Sequence, residues 1–158
     1  MQHDARHDQP RAADGCIDEM RMELSPRLSA IASLAEMIEE FGNSHNIPDT
    51  PIFLVNLEID ELMTNYVTYS FRKVRRPRME VTLRTFRDRL VLVVEDNGPP
   101  FNPLESPDPD LTSGIDERRV GGMGLHLVRK YADRIDYRCV DDRNILTLEH
   151  EFHKGGSQ

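Results

Sequence analysis

Cysteine is scarce in this chain: Cys16 and Cys139 are the only two among 158 residues. Two thiols make no disulfide framework, and they suit a reducing cytosol better than a secreted scaffold. Basic charge is also short. Twenty Lys and Arg stand against 28 Asp and Glu, leaving a net charge of −8, so the chain lacks the general basic face that nucleic-acid backbones need. Long apolar runs are absent. No stretch approaches the roughly 20 residues required to span a bilayer, and the opening "MQHDARHDQPRAADG" has no secretory apolar core. These absences predict a soluble cytoplasmic protein with neither nucleic acid nor membrane as partner.

What is present suffices for one domain with a single core. Hydrophobic content is 38%, modest enough to imply a polar tail or a large lid beside that core. Residues 1–17 are polar and without period, which predicts a disordered tail. His3 and His7 lie in it without the further ligands of a dedicated metal site. A single domain then covers residues 18–153.

"MRMEL" reads as a short strand. Leu28, Ile31, Leu34, Ala35, Ile38 and Phe41 follow helical spacing and predict an amphipathic helix over 27–42. "FGNSHNIPDT" ends it. A second helix starts with Thr50 as cap and Pro51 at the first helical position, and runs to about Phe71. "PRMEVTLRTF" and "RLVLVVED" form a hairpin through "RDR". A segment of about 25 residues rich in proline, glycine and acids follows. That is long for a connection and reads as a functional lid at about 99–121. "MGLHLVRKYAD" is a third helix, and "RIDYRCV" and "NILTLEHEF" are two strands joined by "DDR". The order predicts a two-layer α/β sandwich, a mixed and mainly antiparallel sheet with helices on one face. It is not the strict βαβ alternation of a dinucleotide fold, and G-x-G-x-x-G is missing.

Three features carry chemistry. Gly121, Gly122 and Gly124 crowd the start of the third helix. Bare amides at a helix start form an anion site, and glycine admits a close ligand; a glycine-rich turn capping a helix is the plainer reading. On the second helix Glu58, Glu61, Asn65 and Thr68 share one face. That face is either solvated or lines a cleft, where Asn65 would suit one vertex of an octahedral Mg²⁺ and Glu61 would sit ready to take a proton. "VVEDNGPPFNP" ends an apolar strand in Asp96. Its carboxylate can accept from an exocyclic amine such as that of adenine, with Gly98 letting the ring approach; a tight turn after an edge strand is the alternative.

Taken in order, "ELMTN", "EDNGPPF" and "GGMGLHL" resemble the N box and the two glycine boxes of the GHKL, or Bergerat-fold, ATP-binding domain, over about residues 20–152. The length and the pattern "PDPDLTSGIDERRVGGMGLHLVRKYAD" are more similar to one branch, the bacterial anti-sigma-factor serine kinases. The resemblance implies Asn65 as Mg²⁺ ligand, Glu61 as general base, Asp96 as the adenine-reading acid with Gly98 beside the ring, Gly122 and Gly124 at the phosphates, and Thr147 as a hydroxyl assisting adenine recognition. Arg118 and Arg119 would lie in the lid near the γ-phosphate. Two positions depart from the family: Pro100 stands at the last glycine of the first glycine box, and Tyr69 where many relatives place His.

The implied activity is transfer of the γ-phosphoryl group of ATP to a serine on an antagonist protein of the STAS type. The same kinase would hold a sigma factor in a partner-switching pathway, and homodimerisation is implied by relatives alone. The alternative is a nucleotide-gated binding module that transfers nothing. A detached histidine-kinase domain fits less well, since neither His45 nor His126 sits as a phospho-acceptor on a helix pair. "FRKVRRPR" adds Arg72, Lys73, Arg75, Arg76 and Arg78. They form either a solvated loop at a helix C-terminus or a site for an acidic patch on a partner protein.

Overall fold

The computed structural model describes residues 15–25, 27–105 and 122–155. Within them the apolar periods become five strands and three helices: β1 (Asp18–Leu24), α1 (Ser29–Ser44), α2 (Asp49–Asn65), β2 (Met79–Thr85), β3 (Arg89–Asp96), α3 (Gly122–Tyr131), β4 (Arg134–Val140) and β5 (Arg143–Glu151). The sheet order is β1-β2-β3-β5-β4, and all four pairings are antiparallel.

Strand alternation sorts side chains between two faces. Leu24, Met79, Val81, Leu83, Leu90, Leu92, Val94, Leu146 and Leu148 are buried together with Leu34 and Ile38 of α1, Val55, Ile59 and Met63 of α2, and Val128 of α3. All three helices therefore cover the same face. The opposite face carries cross-strand charge pairs: Arg84 to Glu19 at 2.6 Å, Arg21 to Glu80 at 3.3 Å and Arg143 to Glu95 at 3.6 Å. Such surface pairs contribute about 0–1 kcal/mol each, so the stability of this fold lies on the helix side.

Several boundaries differ from expectation for local reasons. Gly42 does not stop α1. Its missing side chain leaves room for Ile52, whose Cδ1 would lie 2.6 Å from a Cβ placed there, and α1 runs on to Ser44. Asn46, at φ 53°, then takes the left-handed conformation that turns the chain. Thr50 lies inside α2 rather than capping it; Pro48 precedes the helix and Asp49 opens its first turn. The predicted span to Phe71 is helical but not uniform, because α-helical pitch ends at Asn65 and a π-helical turn (Tyr66–Ser70) and a 3-10 turn (Phe71–Lys73) follow. The β4–β5 turn places Asp141 and Asp142 at φ 49° and 59°, the pattern of a two-residue hairpin turn matched to strand twist.

At the N-terminus Ile17 is already engaged, its amide donating to Thr85 O at 2.8 Å. Residues 1–14 of the expected tail, most of the expected lid, Gly121, Arg118 and Arg119 lie outside the described residues. Cys16 and Cys139 are free thiols.

Candidate functional site

The site is assembled where the end of α2 meets the turn after β3. Asn65 is the last α-helical residue, and its neighbour Tyr66 begins the π-helical turn. π-turns are rare and recur at functional sites. Here the wider turn carries Tyr66 onto the turn that follows Asp96. The Tyr66 hydroxyl donates to Asn97 Oδ1 at 3.0 Å and to Arg78 O at 3.3 Å. Burial, reinforced by the nearby Asp96 carboxylate, pushes that hydroxyl up to about 12.

Gly98 is buried against this contact. A Cβ on it would lie 3.1 Å from Ser70 Cβ and 3.2 Å from Tyr66 Cε2. The space a side chain would take at Gly98 is filled by the chain's own Tyr66 and Ser70. Glycine is needed here because α2's continuation packs directly on the turn.

Asp96 ends β3 and faces the helix layer. Its Oδ1 accepts from Gly98 N at 2.8 Å and from Asn144 Nδ2 at 2.9 Å. Burial raises its carboxyl above the ordinary value, while the bonds from Asn144 and Gly98 pull it back. Asn144 lies directly opposite Asp96 in the β3–β5 register and is itself buried. Its amide also donates to Gly98 O and Pro99 O, both at 3.1 Å, and its Oδ1 accepts from the Tyr137 hydroxyl and from Phe101 N at 3.4 Å. One carboxamide thus ties the adjacent strand, the acid and the outgoing loop together.

Thr147 is not part of this cluster. It pairs with Val93 and Asp136, three positions along β5 from Asn144, so strand parity puts it on the opposite, charge-paired face. The expected late-strand hydroxyl is therefore corrected: the polar side chain of β5 that reaches Asp96 is Asn144.

The polar stripe of α2 divides. Glu58 is buried, with Oε1 2.6 Å from Nε2 of buried His150 on β5; it belongs to the core, not to a cleft. Burial raises its carboxyl, against a lowering by His150. Glu61, one turn on, is half-buried, and its Oε2 is buried without a hydrogen-bond partner. Burial first, and the neighbouring Asp60 carboxylate second, raise its carboxyl above the ordinary value. Asn65 is half-buried and Thr68 exposed. The stripe is thus neither wholly solvated nor wholly lining one cleft.

Helix α3 packs against α2, with Gly122 and Gly124 in its first turn. The helix that opens with these glycines thus packs, through Val128 among others, on the helix that bears Glu61 and Asn65. A half-buried carboxylate with one unpartnered oxygen, a carboxamide one turn on and a helix N-terminus are the kinds of group that can take part in holding a magnesium-bound polyphosphate. Among the described residues no cluster of three or more His, Cys, Asp or Glu could hold a metal. No helix among the described residues is long and apolar enough to cross a membrane.

The chain shares 32% identity over 96 residues with the serine/threonine-protein kinase BtrW of Bordetella bronchiseptica, covering 61% of this chain and 68% of that protein. Among solved structures, it aligns with the histidine kinase domain of a blue-light activated histidine kinase from Erythrobacter litoralis at a TM-score of 0.43 and 15% identity, covering 78% of this chain and 59% of the other. Residues 24–150 match the histidine kinase-like ATPase domain. With this match over most of its length, the chain belongs to the histidine kinase-like ATPase domain family, which implies ATP binding.

Proposed function

We propose that this protein is a regulatory serine kinase that acts as an anti-sigma factor. It would phosphorylate a serine on a STAS-type antagonist in a partner-switching pathway. The observation that carries the reading is the pair Glu61 and Asn65 on α2, with the Glu61 Oε2 buried and unpartnered one turn before the last α-helical residue. The name of the 32%-identical relative, a serine/threonine-protein kinase, supports the same reaction class.

Each residue has a role in this reading. Asp96, oriented by Asn144 and Gly98 N, accepts the exocyclic amine of adenine through its remaining oxygen. Asn65 offers its carbonyl oxygen to Mg²⁺. The first turn of α3, with Gly122 and Gly124, turns backbone amides toward the phosphates. Glu61 takes the proton of the attacking serine hydroxyl, and its raised basicity suits it to that task. Bound Mg²⁺ supplies charge neutralisation on the phosphate oxygens. The protein's share is positioning and fixed electrostatics.

The test is incubation of the purified chain with Mg-ATP and a STAS-domain antagonist, followed by mass spectrometry of the antagonist. One added phosphate on a serine is expected. An antagonist that binds in an ATP-dependent manner and keeps its mass would replace the kinase by a nucleotide-gated binding module.

A further inference from the structure

We infer that the segment 72–78 is a preorganised docking surface for an acidic protein partner. Arg72, Lys73, Arg75 and Arg76 are exposed, and none makes an ion pair among the described residues. Single exposed cations without an ion pair occur elsewhere among the described residues, at Arg27, Arg87, Arg134 and Lys154, but only here do four fall within the five positions 72–76. On the open sheet face Arg21, Arg84, Arg138 and Arg143 each have a carboxylate partner, and Arg134 alone of the strand arginines there has no ion pair among the described residues. Only the last residue of the segment, Arg78, is paired there, to Glu23 at 3.1 Å.

The segment is also held in shape. Asn97 Nδ2 donates to Arg76 O at 2.7 Å, Asn97 Oδ1 accepts from Arg78 N at 2.8 Å, and Asn97 N donates to Arg78 O at 3.3 Å. The Tyr66 hydroxyl closes on the same Asn97 oxygen and the same Arg78 carbonyl. A loop with its backbone fixed and its cations unpaired loses little entropy on binding. Its four like charges repel each other and are relieved by an incoming carboxylate cluster.

The occupant is an acidic protein segment rather than a nucleic acid. The cations are confined to one short loop on a chain of net charge −8, whereas a phosphate backbone needs an extended basic track. Phe71, 38% exposed, adjoins the cations and adds the apolar contact found in the cores of protein interfaces. The inference does not depend on phosphoryl transfer, since it concerns a surface and not the nucleotide.

The test uses a fluorescein-labelled poly-L-glutamate of about twenty residues and a labelled DNA duplex of equal charge, followed by anisotropy at rising salt against the full chain. The wild type is expected to bind the polyglutamate more tightly than the duplex. Arg72→Glu/Arg75→Glu/Arg76→Glu is expected to weaken polyglutamate binding about tenfold or more. Arg21→Glu/Arg138→Glu/Arg143→Glu, with the same charge change on the open sheet face, should stay within about twofold of wild type. Asn97→Ala, which loosens the loop without altering charge, should fall between the two. Tighter binding of the duplex would replace the protein partner by a nucleic acid. Equal losses in the two triple variants would show that net charge alone acts, and no loss in the loop variant would remove the surface. Matched thermal unfolding of the variants separates lost binding from lost folding.

Discussion

Asn144 Nδ2 donates to Asp96 Oδ1 at 2.9 Å from the directly opposing position on the neighbouring strand. The acid proposed to read adenine is aimed by a carboxamide 48 residues later in the chain. Replacing Asn144 by Ala removes that bond and the ties to Gly98 O and Pro99 O. ATP affinity measured by calorimetry should drop about tenfold, the equivalent of ~1.4 kcal/mol. Asn144→Asp should be worse, because a second carboxylate would face the first. Thr147→Val should leave affinity unchanged, since Thr147 stands on the other sheet face; a loss there would reinstate Thr147 as an adenine contact.

Asn65→Ala is expected to abolish Mg-ATP binding while leaving the far-ultraviolet circular dichroism and the melting temperature close to wild type. The side chain is half-buried and makes no hydrogen bond among the described residues, so little folding energy rests on it. Unaltered nucleotide affinity would take Asn65 out of the site.

Glu61→Gln should bind ATP normally and transfer phosphate about 10²–10⁴-fold more slowly. In the wild type the carboxyl lies above the ordinary 4.5, and its protonated form cannot accept the serine proton. The transfer rate should therefore fall with acidification at a pH above the usual glutamate range, and the Gln variant should lack that acid limb. A wild-type acid limb retained in the variant would assign it to another group.

The buried Glu58–His150 pair, 2.6 Å apart, is proposed to be structural. Glu58→Ala leaves His150 buried and unpaired and should cost about 3–5 kcal/mol in denaturant unfolding, while Glu58→Leu/His150→Leu should recover most of that loss. The pH dependence has a definite sign. Burial holds the folded-state carboxyl above its ordinary 4.5, so the folded chain binds the proton more tightly than the unfolded chain. That contribution is full below the ordinary value and is lost as pH rises through the raised one. Melting temperature followed from about pH 4 upward should show Glu58→Gln gaining on the wild type as pH rises. A constant gap would mean that Glu58 does not titrate in this window.

Gly98→Ala places a methyl about 3 Å from Tyr66, Ser70 and Asp96 Oδ1. Overpacking of this kind costs about 1–3 kcal/mol. Because the strain falls on the turn carrying Asp96, ATP affinity should drop along with the melting temperature. A variant that loses affinity alone would point instead to a ligand ring against Gly98.

Much of this was legible in the chain itself. The span of β3 follows from the run "RLVLVVED", and that of β4 from "RIDYRCV". Val55, Ile59, Leu62 and Tyr66 share one face by helical spacing; the first two and Tyr66 are buried, and Leu62 is half-buried against the core. Even the side of Thr147 was within reach, since Leu146 and Leu148 occupy the core face and a period of two puts Thr147 on the other. The same alternation sets Asn144 and His150 among the core residues of β5. They are polar residues on an apolar face, a signal of specific partners that the family pattern overshadowed.

Local periodicity determined which segments are strands and helices and which side of each is apolar, because those preferences depend on near neighbours along the chain. It also placed Glu61, Asn65, Asp96 and Gly124 in the elements where they stand, while Gly122, read as just before the third helix, opens it. Only the tertiary structure decided that Glu58 turns inward to His150, that Asn144 rather than Thr147 holds Asp96, that Tyr66 fills the space beside Gly98, and that Asn97 fixes the cationic segment. Each of these is a hydrogen bond or contact between residues 19 to 92 positions apart. Sheet register and helix packing choose such partners, and no local window of sequence contains both.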